Sequence, residues 1–226
     1  MAAFSRRRYL ATGLSSLTAL LAISSCRTPA PTSRTAVGAS RPASANSAAS
    51  GTPAASGYHA PAQRCEGGHY PSRNVDIAAA DGTRIAVVSL GNGPRGVLML
   101  PEHDASACRW WPQATALAQA GFRVVLLDYR CTFFSGCPAH GNTWDLPSDA
   151  AAGIAELHAE GAGKVIVVGA SAGGTLAVVA AAAAGPAVNG VVDLSGPADV
   201  SAMYDAPAGT IDSFKAAAKI TVPSLF

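Results

Sequence analysis

No acidic residue occurs before residue 65 of this 226-residue chain. The same stretch carries seven arginines (Arg6, Arg7, Arg8, Arg27, Arg34, Arg41 and Arg64), so the overall net charge of +2 hides a different body. From Cys65 onward nine basic residues face fourteen acidic ones, a net of −5. A mildly acidic body with no basic stripe excludes a nucleic-acid binder. Charge is scarce overall, at 13%, and aromatic residues are scarcer, at 6%. The apolar run Ala11–Ile23 falls short of the roughly 20 residues that a membrane-spanning helix needs. Hydrophobic residues are plentiful at 49%, which supplies a packed core and rules out a wholly disordered chain. The length suits one α/β domain with appendages.

Residues 1–26 have the layout of an export signal: a basic start, a short apolar stretch, and small residues before Cys26. Ser5-Arg6-Arg7-Arg8-Tyr9-Leu10 resembles the twin-arginine export motif. Ile23-Ser24-Ser25-Cys26 resembles a bacterial lipobox, which implies a lipidated Cys26 and attachment to a membrane. Residues 27–64 are rich in Ala, Ser, Thr, Pro and Gly, and are expected to form a disordered tether. The folded domain is expected over 65–226, exported to the cell surface or beyond. Its four cysteines suit disulfides in an oxidising compartment. Cys131 and Cys137 flank a short loop and form the local pair, leaving Cys65 with Cys108; four free thiols are the alternative. The spacing is not that of a zinc knuckle and no histidine cluster accompanies it, so no metal and no cofactor is expected.

The body alternates strand and helix patterns. Asn74–Ala79 and Arg84–Leu90, joined by a turn at Asp81-Gly82, read as an antiparallel hairpin. Gly96–Leu100, Phe122–Leu127, Lys164–Gly169 and Val188–Leu194 are short apolar runs of the kind buried on both faces of a parallel sheet. Between them lie helical patterns at Trp110–Ala120, at Ser148–Glu160 with Ser148 as N-cap, at Ala172–Ala184 and, weakly, at Asp212–Lys219. Ile220–Phe226 begins a further strand. This order predicts an α/β domain, a mostly parallel sheet with helices on both faces.

One turn carries the chemistry. Gly169-Ala170-Ser171-Ala172-Gly173 has the pattern G-x-S-x-G between a buried strand and a helix. A serine on so tight a strand-to-helix turn is held in a strained conformation with its hydroxyl above the sheet edge. The turn brings its neighbours close, which calls for the turn-forming glycines Gly169 and Gly173. The helix N-terminus directs free N–H groups at the place where an oxyanion would form.

Residues 73–226 resemble the first two-thirds of an α/β-hydrolase fold. The resemblance implies an eight-stranded sheet with a nucleophile after the fifth strand, an acid after the seventh and a histidine after the eighth. Lys164–Gly169 is the fifth strand by count, which makes Ser171 the nucleophile and the N–H of Ala172 one oxyanion donor. Asp128-Tyr129-Arg130 matches the family's Asp-x-Arg, with Asp128 expected to hold its loop. The family's second oxyanion donor comes from the loop after the third strand. That places it on the backbone of His103, or of Glu102, within Pro101-Glu102-His103-Asp104; a satisfied loop histidine is the other reading of His103. Lys219–Phe226 resembles the entry to the seventh strand, so the fold is expected to be incomplete, without its C-terminal strand and helix. The triad acid and histidine are then expected beyond residue 226, since His59, His69, His103, His140 and His158 all precede Ser171. Asp199 could serve as an acid after the sixth strand, or as a helix cap.

The resemblance implies an exported serine hydrolase that attacks a small carboxylic ester or related acyl substrate. The alternatives are a non-catalytic surface binding module or a degenerate remnant, and a phosphate cradle at the Gly169–Gly174 turn, which lacks the P-loop lysine. Replacing Arg6 and Arg7 together by lysine should block translocation, followed by the mature protein in the exported fraction. Cys26→Ala should move the protein out of the membrane fraction; unchanged fractionation would remove the lipid anchor.

Overall fold

The structure, a computed structural model, describes residue 65 and residues 70–226. The export segment with Cys26, the tether, His59 and His69 lie outside the described residues. Among the described residues seven strands form one sheet: β1 (Ser72–Ala78), β2 (Arg84–Leu90), β3 (Arg95–Leu100), β4 (Arg123–Leu127), β5 (Lys164–Ala170), β6 (Gly190–Leu194) and β7 (Ser224–Leu225). Their spatial order is β1-β2-β4-β3-β5-β6-β7. β1 pairs antiparallel with β2 and β2 antiparallel with β4, and every pairing from β4 to β7 is parallel. The helices are α1 (Trp111–Gln119), α2 (Leu146–Ala159), α3 (Ala172–Ala184) and a short α4 (Ser213–Ala217).

Alternation along the strands sorts the side chains onto two faces. Leu98, Leu100, Val125, Leu127, Val165 and Val167 pack against α2 and α3. Their neighbours Val97, Met99, Val124 and Leu126 pack with Trp110, Trp111, Ala114 and Ala118 around α1. Two small residues set the layer spacing. A Cβ on Gly96 would meet Ala162 and Leu157, and one on Gly153 would meet Leu98 at 2.8 Å, so α2 lies close against β3. Disulfides join Cys65 to Cys108 across 43 residues and Cys131 to Cys137 across 6. The first holds residue 65 against the α1 face, where Cys65 is buried.

Several boundaries depart from the sequence reading. α2 begins at Leu146, with Asp145 rather than Ser148 as N-cap; the Asp145 carboxylate accepts from Ser148 N–H at 3.4 Å. Pro147 is tolerated because the first helical turn has no intrahelical use for its missing N–H. The Ser148 hydroxyl instead accepts from Ala80 N–H. The run at Trp110–Ala120 splits into a 3-10 turn, Ala107–Trp110, and α1, with Pro112 at the junction. Val188 and Asn189 precede β6, and only Ser224 and Leu225 of the final run pair with it.

After β4 a buried ion pair joins α2 to the turn between β1 and β2. Arg130, wholly buried, donates from Nε to Asp149 Oδ1 at 2.9 Å and from Nη1 to Asp81 at 2.8 Å. The Arg130 backbone N–H also donates to Asp149, which is itself fully buried. Burial pushes the Asp149 carboxyl up to about 6, against the opposing pull of Arg130. Arg130→Met should cost about 3–5 kcal/mol, the usual penalty for orphaning a buried charge, as measured by urea unfolding at neutral pH. Without the guanidinium, burial raises the folded-state pKa further above the unfolded one, and that form is favoured below the unfolded value. The variant should therefore be less impaired at pH 5 than at pH 8; an equal loss at both would place the charge elsewhere.

Candidate active site

β5 ends at Ala170, and its ladder runs one residue further: Ser171 N–H donates to Leu194 carbonyl on β6 at 2.9 Å. There the chain reverses. Ser171 adopts φ 50° and ψ −125°, the left-handed region that non-glycine residues rarely enter. Its carbonyl at once accepts from Gly174 N–H at 2.8 Å and Thr175 N–H at 3.3 Å, which starts α3. The residue is half-buried at the C-terminal edge of the parallel strands, while Ala172 behind it is fully buried. The first N–H groups of α3 have no intrahelical acceptors, and they add to the positive end of the helix dipole beside the Ser171 hydroxyl.

The glycines around the turn are enforced by backbone contact. A side chain on Gly169 would run into the carbonyl of Gly173, four residues along the turn. One on Gly173 would run into the carbonyls of both Leu100 and Pro101, at the end of β3. Gly174 is equally constrained, because a Cβ there would strike the Asp193 carboxylate. Asp193 accepts from Gly196 N–H at 2.7 Å, and the Thr175 hydroxyl donates to Pro197 carbonyl, so the loop after β6 is fastened to the same helix start. Gly174 and Asp193 were not singled out from the sequence; the doubled glycine at 173–174 was the one available signal.

The loop after β3 is held from three sides. Asp128 Oδ1 accepts from Ala107 N–H at 2.8 Å, and the buried Tyr129 hydroxyl donates to Pro101 carbonyl at 2.9 Å. His103 bridges to the 3-10 turn after β6, Ser201–Tyr204, with Nε2 3.0 Å from Met203 carbonyl and Nδ1 3.1 Å from Asp104 Oδ2. Its ring lies edge-on to Tyr204, with centroids 4.9 Å apart. Tyr204 packs in turn near Tyr129, and burial pushes both phenols up. Both ring nitrogens of His103 are thus turned to acceptors.

The other two described histidines lie apart from this edge or in an exposed loop. His158 sets Nδ1 2.9 Å from Ala162 carbonyl and Nε2 2.8 Å from Ala187 carbonyl, at the opposite, N-terminal ends of β5 and β6. His140 is exposed in the loop before α2. Asp199, one residue before the Val200 N-cap of the turn Ser201–Tyr204, accepts from Ser201 N–H at 2.8 Å and Gly209 N–H at 3.0 Å. Hydrogen bonds from Ser201 and Gly209 hold its carboxyl below the usual carboxylate range. Among the described residues no cluster of His, Cys, Asp and Glu could hold a metal ion, and no helix is long and apolar enough to cross a membrane.

Gly173→Ala should be far more damaging than an average helix glycine replacement. The added methyl meets two backbone carbonyls that cannot swing aside, so a loss of at least about 2–3 kcal/mol is expected, read as a fall in the thermal midpoint. A stable variant with unchanged midpoint would show that α3 can move away from β3.

A family model for the alpha/beta hydrolase fold matches residues 100–216. No curated protein matches the chain by sequence. Among solved structures, the Pyrococcus furiosus esterase Pf2001 aligns with TM-score 0.51 at 22% identity, over 57% of this chain and 51% of that one. An esterase from Exiguobacterium antarcticum aligns with TM-score 0.46 at 30% identity, over 52% and 43%. The epoxide hydrolase VrEH1 of Vigna radiata gives TM-score 0.47 at 23% identity, over 54% and 39%. The chain therefore spans about half the length or less of these solved structures. With the sheet order, the turn at Ser171 and the matched span all in agreement, the chain belongs to the alpha/beta hydrolase fold family.

Proposed function

We propose that the chain carries the nucleophile and oxyanion hole of an exported serine hydrolase acting on small carboxylic esters or related acyl compounds. The observation that carries this reading is the left-handed Ser171 at the head of α3. That geometry presents a hydroxyl and free N–H groups to the same space, as acyl transfer requires. In this reading Ser171 attacks the acyl carbon, and the N–H of Ala172 and a backbone N–H of His103 or Glu102 receive the oxyanion. Gly169 and Gly173 permit the turn. Pf2001 is named an esterase, and that activity is carried to this chain as part of the proposal. Export to a cell surface, with lipid attachment through Cys26 and a tether over 27–64, belongs to the same proposal. Two disulfides suit an oxidising compartment.

Among the described residues no histidine bonds the Ser171 hydroxyl. Both ring nitrogens of His103 and of His158 face protein acceptor oxygens, and no histidine follows Ser171 in the given sequence. The proposed hydrolysis needs a triad acid and histidine, which the described residues are not seen to supply at Ser171. A chain without them would serve as a binding module or a degenerate relative of the hydrolases.

The 226-residue chain should be labelled at Ser171 by a fluorophosphonate, slowly, and Ser171→Ala should abolish labelling. Its turnover of short p-nitrophenyl esters should sit near background, since a positioned base contributes roughly 10²–10⁴-fold. Labelling that persists in Ser171→Ala would dismiss this nucleophile. Brisk turnover would mean that a base already exists among these residues.

A further inference from the structure

Beside the oxyanion loop opens a cleft of about 600 Å³ whose lining includes Glu102, His103, Arg109 and Phe133. Its near wall continues directly from Pro101, whose carbonyl abuts the α3 glycine Gly173. Phe133 comes from the loop after β4. It is 55% exposed and adopts φ 41°, a conformation that an aromatic residue enters only under constraint.

The constraint is visible. Cys131 and Cys137 close the loop covalently, and Cys131 N–H donates to Gly136 carbonyl at 2.9 Å. Gly136 N–H donates to Arg84 carbonyl on β2 at 2.7 Å. The Ser135 hydroxyl donates to Asp128 carbonyl and accepts from Ala86 N–H, also on β2, at 2.9 Å. Thr132 turns its hydroxyl back to Tyr129 carbonyl. The loop is pinned on both sides of Phe133, whose ring is left exposed. Strain that the surroundings over-determine in this way points to use.

The same cleft is lined by Arg109, 71% exposed in its side chain, with Nε 3.5 Å from the Glu102 carboxylate. A phenyl ring and a planar guanidinium both attract the face of an aromatic ring, by stacking and by cation–π interaction. An alkyl chain gains contact from the phenyl alone. We propose that this cleft is the subsite for an aromatic group of the ester substrate and that Phe133 is the residue that selects it. The proposal rests on Ser171 being the nucleophile, and its geometric link is the cleft wall at Glu102 and His103, which follows Pro101, whose carbonyl lies against Gly173, two residues after Ser171. The aromatic group can sit on the acyl or on the alcohol side, and ligands of each kind separate the two.

Two probes suffice, 4-fluorobenzyl alcohol and 4-fluorobenzoate, followed by ¹⁹F NMR on the 226-residue chain, with cyclohexylmethanol as a non-aromatic competitor. At least one probe should bind, and the better of them identifies the side of the ester that carries the ring. Phe133→Ala should weaken it roughly threefold to tenfold, the range of one aromatic contact. Phe133→Tyr should retain binding, and Phe133→Leu, which keeps bulk without the ring, should behave like the alanine variant. Intact Cys131–Cys137 linkage by peptide mapping guards against a misfolded loop. Equal binding by wild type and Phe133→Ala, equal competition by cyclohexylmethanol, or failure of both probes to bind would each overturn the subsite. Fluorophosphonate labelling of Ser171 in the same samples keeps the two readings apart. Phe133-dependent binding with an inert Ser171 removes the hydrolase reading, while a reactive Ser171 with Phe133-independent binding removes only the aromatic selection.

Discussion

The close approach between the first turn of α3 and the end of β3 governs the geometry of the whole edge. Gly173 has no room for a single carbon beyond its backbone, because the carbonyls of Leu100 and Pro101 occupy that place. Main chain therefore lies against main chain, and the position of α3 is fixed without side-chain adjustment. Ser171, two residues earlier, has to turn through the left-handed region to enter a helix so placed. The strain at the serine and the bare glycine follow from one steric requirement, and the strain is sustained by packing elsewhere.

Around this point the loops that leave the C-terminal ends of the parallel strands are tied to one another rather than left to solvent. Tyr129, after β4, bonds the end of β3; His103, after β3, bonds the turn after β6; Asp193, at the end of β6, is packed against Gly174 on α3. Asp128 adds a bond from the end of β4 to the turn before α1. Each bond joins segments far apart in sequence, so the edge forms only when the sheet order is already correct. Preorganisation of this kind is what a site needs if its N–H groups are to meet developing charge without rearranging.

The two faces of the sheet are unequally covered among the described residues. α2 and α3 extend over β3 to β6, while α1 covers the other face only as far as β3 and the near side of β5. Beyond it Ile166 is 36% exposed, Leu194 43% and Leu225 60%, all pointing to the α1 side by their pairing. Exposed apolar strands beside a two-residue edge strand are an aggregation hazard unless something covers them. The chain spans about half the length of the esterase Pf2001.

The sequence by itself determined the strands, the helices and the strand-to-helix turn at Ser171, because each is a local pattern. Five-residue apolar runs, glycine stops and a serine between two glycines declare themselves within a dozen residues. The antiparallel hairpin, the mostly parallel sheet and the Cys131–Cys137 pair were legible for similar reasons, whereas Cys65–Cys108, 43 residues apart, followed only as the remaining pair. Helix starts were less so: Asp145 outcompeted Ser148 as a cap because Pro147 fits inside the first turn, a choice that depends on where the chain enters. The pairing of Arg130 with Asp149, the role of Gly174, the two-sided grip on His103 and the outward thrust of Phe133 were decided by tertiary structure alone. Each depends on groups brought together by the sheet across tens of residues, and no periodicity in the chain records which distant carbonyl or carboxylate a side chain will meet.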